Sequence, residues 1–406
     1  MDRQFRSLFN AAYRPEIHER YAAALSDLLD TDFEFRLAET PVFLPASFRE
    51  RTEAAAREIV KQLSEPEKIE SMKRAIPEKW NTPGMDALPS MAQVDFAVVM
   101  NDRGELEPKL IELQGFPSLS AFQVVQNDAW GDELRGIPDL DRNWTCWFSG
   151  LDREGYLELA RKTILGDHPP EEVILMDIDP PSQKTWPDFS ATKLLFDVDP
   201  VDINDLIVQG KRLWRIDPGG GGKLTPVRRI YNRVVFDELA VKEVAVPFDY
   251  RDELEVEWVP HPNWYWVWSK YSLPFLDHPS VPRATFVSEL AQIPVDLTEN
   301  YVLKPLFSFA GAGVNVDPVA EDIERIPEAE RGNWCIQEKI GYAPALEAPD
   351  GSGVKVEIRM MFLRPDDAPE MILTQNLCRL SRGKMLGVDF NKDFSWVGSS
   401  IGMYPG

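Results

Sequence analysis

Residues 94–116, "VDFAVVMNDRGELEPKLIELQGF", constrain the fold of this chain more than any other stretch. Two apolar runs flank an Asn-Asp-Arg-Gly turn and the second ends at Gly115, so the segment reads as a β-hairpin. The residues before it, 1 to about 90, read as helical. "SFRERTEAAAREIVKQL" opens with Ser47 and Glu50 in capping-box spacing and puts Ala56, Ile59, Val60 and Leu63 on one face. Prolines 77, 83 and 89 then interrupt the pattern, and residues 151–164 read as a further helix.

From residue 171 the texture changes. "EEVILMDID" is a β-branched run ending in acid and proline, as a buried parallel strand does. "KLLFDVD", "INDLIVQGKRLWRI", "GGGG" (219–222) and "VRRIYNRVVFDEL" follow, alternating strand with helix, and predict a small α/β unit over roughly 165–260. The four glycines read as a turn joining the strand at 211–216 to the segment starting at 225. Residues 261–406 form another α+β region, where the aromatics of "NWYWVW" read as core.

The totals exclude several function classes. The chain has 406 residues, 44% of them apolar, which suits a large core spread over two or three domains. A formal net charge of -23, spread along the whole length, repels phosphate backbones and anionic membranes. No apolar run approaches the roughly 20 residues of a membrane span, and "MDRQFRSLFNAAY" has no signal pattern. Cys146, Cys335 and Cys378 lie far apart and read as reduced, buried thiols of a cytoplasmic protein. Four scattered histidines argue against zinc.

Residues 261–406 offer, in order, what a nucleoside triphosphate requires: cations, a close main chain and an apolar slot. Lys270 follows an aromatic run, and "VPRATFV" (281–287) reads as a strand. Lys304 closes the strand "YVLKP", and in the loop after it Gly311 and Gly313 put no Cβ in the way of a phosphate. The pattern is not a Walker loop, since no Gly-Lys-Ser/Thr follows. "WCIQEKI" turns polar at Gln337-Glu338, an edge that can pair with adenine. "VKVEIRMMFL" alternates, so that Lys355, Glu357 and Arg359 share one strand face.

The pieces "SKYSLPFL", "VPRATFV", "YVLKP…GAGV", "QEKI", "EIRMMFL" and "RLSRGKMLGVDFNKDFSWVGSS" stand in an order that resembles the ATP-grasp superfamily. The resemblance implies that Lys270 and Lys304 hold the phosphates and that Gly311 and Gly313 lie in the loop covering them. It implies that Gln337, Glu338 and Ile340 form the adenine and ribose hinge, that Arg359 and Arg379 face the transferred phosphate, and that Asn391 is the family's asparagine after "DF". An ordinary member continues into a strand with a carboxylate-x-Asn magnesium pair. Here the matching hairpin lies early, with Asp95 on its first strand and Glu112-x-Gln114 on its second. That displacement resembles the circularly permuted branch containing glutathionylspermidine synthase, and "VRRIYNRVVFDEL" looks like its Rossmann-like pre-ATP-grasp domain.

The implied architecture is a helical segment (1–90), a metal-strand hairpin with helices (91–164), a pre-ATP-grasp α/β domain (165–260) and the nucleotide-binding domain (261–406). The implied activity is an ATP- and magnesium-dependent carboxylate–amine or thiol ligase working through an acyl phosphate on small-molecule or peptide substrates. A phosphotransferase and a non-catalytic ATP-binding module are the alternatives. Asp95, Glu112 and Gln114 are the implied metal ligands. Four positions depart from the branch: Gln114 replaces asparagine, Gln93 a basic residue, and Ser399-Ser400 a glycine pair. Asp389-x-Asn391 could instead be the metal pair of an unpermuted domain. Arg229 and Arg233 read either as surface residues or as guides for an anionic substrate. No Cys/His amidase region is recognised, and the sequence sets no oligomeric state.

Overall fold

The computed structural model describes every residue except 218–220, 243, 309–312, 384–390 and 392. Its first helices are α1 (Arg3–Ala12), α2 (Pro15–Leu29), α3 (Ala46–Leu63) and α4 (Pro66–Met72). The predicted apolar face of α3 is buried, but Ser47 is not its cap. The helix begins at Ala46, because Pro45 sits in extended backbone and its carbonyl accepts from the N–H groups of Phe48 and Arg49.

The hairpin forms as two long strands, β1 (Met91–Met100) and β2 (Leu106–Gln114), followed by α5 (Phe122–Arg135) and α6 (Arg153–Leu165). The α/β unit then supplies β3 (Val173–Asp177), α7 (Trp186–Phe196), β4 (Asp199–Asp202), β5 (Arg229–Asn232) and β6 (Glu257–Val259). These four strands are parallel in the order β6-β5-β3-β4. An antiparallel insert of three strands joins β4 to β5. Gly221 (φ +80°) and Gly222 (φ +68°), the described half of the glycine run, turn between its last two strands.

Arg229 and Arg233 are not surface residues. Arg229 is 2% exposed and pairs with Glu257 and Asp366 while donating to the carbonyls of Thr163 and Ile164. Arg233 is 3% exposed and its Nη1 donates to Asp188 Oδ2 at 2.5 Å. Asp188, fully buried at the start of α7, also accepts the N–H groups of Leu119, Ala121 and Phe122, and so ties the segment after β2 to the α/β unit.

A second antiparallel sheet holds β7 (Ala284–Phe286), β8 (Tyr301–Pro305) and β9 (Trp334–Glu338) in the order β7-β9-β8. The last long strands, β10 (Gly353–Leu363) and β11 (Ile372–Ser381), with the short β12 (Gly398–Ser400), join the early hairpin in one antiparallel sheet of order β12-β11-β10-β1-β2. On one face of that sheet Val94, Phe96, Val98, Val356, Ile358 and Met360 are buried. The opposite face carries the charged residues of the same strands, as a period of two requires. Ser399 and Ser400 bond the N-terminal segment: Ser399 O accepts from Ala38 N, and Ser400 Oγ donates to Thr40 O at 2.6 Å. Beyond them a short strand, Gly402–Pro405, runs between Val42–Phe43 and Trp144–Thr145.

Trp264, Tyr265, Trp266 and Trp268 are core residues, and the three cysteines are free and buried. Among the described residues no helix is long and apolar enough to cross a membrane. Asp188→Ala would strand the Arg233 guanidinium in the interior and should lower the unfolding free energy by about 3–5 kcal/mol in urea titration. Burial at the end of β3 pushes the Asp177 carboxyl up to about 7, against the opposing pull of Arg233. Native Asp177 therefore keeps a proton that the unfolded chain loses near pH 4, and stability should fall as pH rises from about 4 to 7, then level off. Asp177→Asn should remove that portion of the slope in denaturation midpoints measured across the range.

Candidate functional site

The charged face of the central sheet is assembled by register. Arg359 on β10 lies directly opposite Asp95 on β1, Asp95 lies opposite Glu112 on β2, and Glu357 on β10 lies opposite Arg379 on β11. Arg359 is bidentate on Asp95, with Nε to Oδ1 at 2.6 Å and Nη2 to Oδ2 at 2.7 Å, and Arg379 Nη2 donates to the same Oδ2. Arg379 also reaches Glu357 Oε2 at 3.2 Å, whose other oxygen accepts from Tyr342 Oη at 2.5 Å. Burial pushes the Asp95 carboxyl up, but the two guanidinium groups more than reverse this and hold it below its usual range. Burial raises the Glu357 carboxyl, with Arg379 opposing.

The two lysines reach this face from the other side. The β1–β2 register shifts between Asp95 and Phe96, so that Glu112 and Leu110 are paired and Ile111 is the extra residue of a bulge. Lys304, at the end of β8, donates Nζ to the freed Ile111 carbonyl at 3.0 Å and to Gln337 Oε1 at 2.6 Å. Burial lowers its pKa from the ordinary lysine value. Lys270 begins a short 3₁₀ helix just after the Trp264–Val267 turn. The hairpin docks on that turn through Gly115, whose N–H donates to Trp268 O at 2.7 Å. A Cβ there would stand 3.0 Å from Trp264 O. Lys270 Nζ donates to Ser308 O and lies 3.9 Å from Glu112 Oε2.

Lys270, Lys304, Arg359, Arg379, Asp95 and Glu112, predicted from segments nearly two hundred residues apart, thus share one cluster with Glu357. Four cations face three carboxylates. Arg379 (35% exposed) and Glu112 (26%) form its open side, while the other five are nearly buried. Arg379 Nε is buried without a partner among the described residues.

The remaining predicted residues lie around it. Gln114 Nε2 donates to Gln93 Oε1 at 2.6 Å, and Gln93 in turn holds Ser118 O. Gln337 is committed to Lys304 and to Leu110 O. β9 is the central strand of its sheet rather than an edge: Glu338 N donates to Arg283 O, and Glu338 Oε2 accepts from Arg283 N. Ile340 is half-buried just past the strand. Gly313 has φ +73°, a Cβ there would stand 3.0 Å from Pro305 Cγ, and Asn315 pairs with Leu303. Gly311 lies outside the described residues, as does Asp389. Asn391 Oδ1 accepts from Ser381 Oγ and the N–H groups of Arg382 and Gly383, holding the chain where it leaves β11. Tyr342 gave no sequence signal. Glu357 was legible only as one of an alternating row.

The described side chains do not fit a magnesium ion at Asp95. Both its oxygens are taken by guanidinium nitrogens, so a divalent cation would displace two cations already in contact with them. Among the described residues no group of three or more His, Cys, Asp or Glu side chains converges to hold a metal.

No family model matches the sequence, and no curated protein matches it. Among solved structures, a glutathione synthetase-like effector from Globodera pallida (GSS30), determined in its apo form, is similar at a TM-score of 0.55 and 12% identity. The match covers 97% of this chain and 98% of that one. The likeness shows a glutathione synthetase-like fold. Gln337→Ala would leave the buried Lys304 ammonium with one partner and should cost about 2–3 kcal/mol of stability by urea denaturation.

Proposed function

We propose that the chain is an ATP-dependent carboxylate–amine ligase that activates an acid as its acyl phosphate. The observation that carries this reading is the convergence of Lys270, Lys304, Arg359 and Arg379 on one cluster, in a chain whose net charge of -23 repels anions elsewhere. The neighbour described as glutathione synthetase-like supports the same class of reaction.

The phosphates of ATP would lie against the open side formed by Arg379, with Lys270 and Lys304 behind it. Gly311 and Gly313 would belong to the covering loop, and Asn391 would order the chain after β11. With the Gln337 amide holding Lys304, the adenine edge would fall to the main chain near Ile340, and the exposed Glu338 carboxylate would accept from ribose hydroxyls. A substrate carboxylate oxygen attacks the γ-phosphorus, the bond to the bridging oxygen breaks, and ADP leaves. An amine nitrogen then attacks the acyl carbon, expels inorganic phosphate and gives up a proton to solvent. The four cations neutralise charge as it moves to the leaving oxygen, so positioning and electrostatics carry the chemistry. Asp95 enters no step as a metal ligand, since both its oxygens are already taken by arginines; Glu112, on the open side, and Gln114 would lie beside the phosphates. A second reading, a nucleotide-binding module without turnover, is favoured by that same saturation.

ADP and free phosphate should appear together with a panel of acids and amines, and Lys304→Ala should lower turnover by roughly a hundredfold or more. Undiminished turnover in that variant would defeat the assignment. ADP without free phosphate would point to phosphoryl transfer, and tight ATP binding with no product in any mixture would favour the module.

A further inference from the structure

Asp95 is held in a way that a metal ligand is not. A carboxylate that is to bind a divalent cation needs oxygens open to the site, and in a buried place it needs neighbours that are neutral or anionic. Asp95 is 1% exposed, and three guanidinium nitrogens already occupy its two oxygens. The bonding runs the other way: one buried anion fixes the orientation of two arginines. Arg359 uses Nε and Nη2 on Asp95, and no hydrogen bond to a described residue involves its Nη1. Arg379 uses Nη2 on Asp95 and Glu357, and its Nε–H is buried with no partner among the described residues. A planar guanidinium held on one edge presents its remaining N–H groups as a fixed fork, the geometry that suits a phosphate. The lysines add two further cations: Lys304 is fixed by Gln337 and Ile111, and Lys270 lies 3.9 Å from Glu112.

Resting on the nucleotide reading above, we infer that Asp95 is a positioning residue that sets Arg359 and Arg379 as the phosphate receptor, and that the chain binds a nucleoside triphosphate without a divalent cation. Metal-free ATP is more negative than its magnesium complex, and a cluster with four cations against three carboxylates favours the more negative form.

The test is calorimetric titration of the full chain with ATP, in EDTA and in excess magnesium, for the native protein and Arg379→Gln. Arg379 is partly exposed, which keeps the variant foldable, and circular dichroism checks this. The expected result is an ATP Kd in EDTA equal to or tighter than that in magnesium, weakened roughly tenfold or more by Arg379→Gln in both buffers. As a second measure, Asp95→Asn should weaken ATP in EDTA while Asp95→Glu restores part of the loss. Binding that appears only with magnesium overturns the inference and leaves the nucleotide site standing. An Arg379→Gln Kd equal to the native value in EDTA also overturns it. Absence of ATP binding in both buffers removes the nucleotide reading itself.

Discussion

The arrangement depends on one cross-strand pair, Arg359 against Asp95. A carboxylate removed from water costs several kcal/mol unless its charge and lone pairs are met in full, and a bidentate guanidinium meets both. The pair forms only if β10 lies beside β1 in one register. A slip of a single residue would turn Asp95 toward the apolar face and Val94 or Phe96 toward the charged one. The ion pair therefore selects the register as much as it stabilises the sheet.

From that pair the rest of the cluster follows by contact. The bulge at Ile111 turns one carbonyl out of the ladder, and Lys304 takes it, so the sheet of β7, β9 and β8 is joined to the outer strand of the central one. Ser280 covers the same strand by accepting the N–H of Leu110, and this leaves less of its edge open. Gly115 lets the end of the hairpin press against Trp264 and Trp268, which brings Lys270 toward Glu112. The carbonyl and the two carboxylates that face these cations, and the glycine that docks on the tryptophans, all belong to one hairpin.

The parts legible in the sequence were those governed by local rules. Two apolar runs around an Asn-Asp-Arg-Gly turn gave β1 and β2, and a continuous β-branched run gave β3. The row Lys355, Glu357, Arg359 follows from a period of two. What stayed hidden depends on partners distant in sequence. Nothing in "DFAVV" says that two arginines some 264 and 284 residues later will close on Asp95. The bulge at Ile111 has no local sign, since no glycine marks it. Gln337 read as part of an edge whose backbone can pair with adenine; that its side-chain amide holds Lys304 had no sign in the sequence. The start of α3 shifted because a proline carbonyl served where a serine side chain was expected.

The strand at Gly402–Pro405 has a consequence for how the chain is made. It fills the gap between Val42–Phe43 and Trp144–Thr145, and its Met403 and Tyr404 are buried. Its neighbour β12 borders β11 in the same sheet as the hairpin. During synthesis the hairpin and the N-terminal helices emerge first, yet their native partners lie more than two hundred residues downstream. Until residues 398–405 are made, the early part of the chain must wait with apolar surface uncovered, so its folding carries a high contact order.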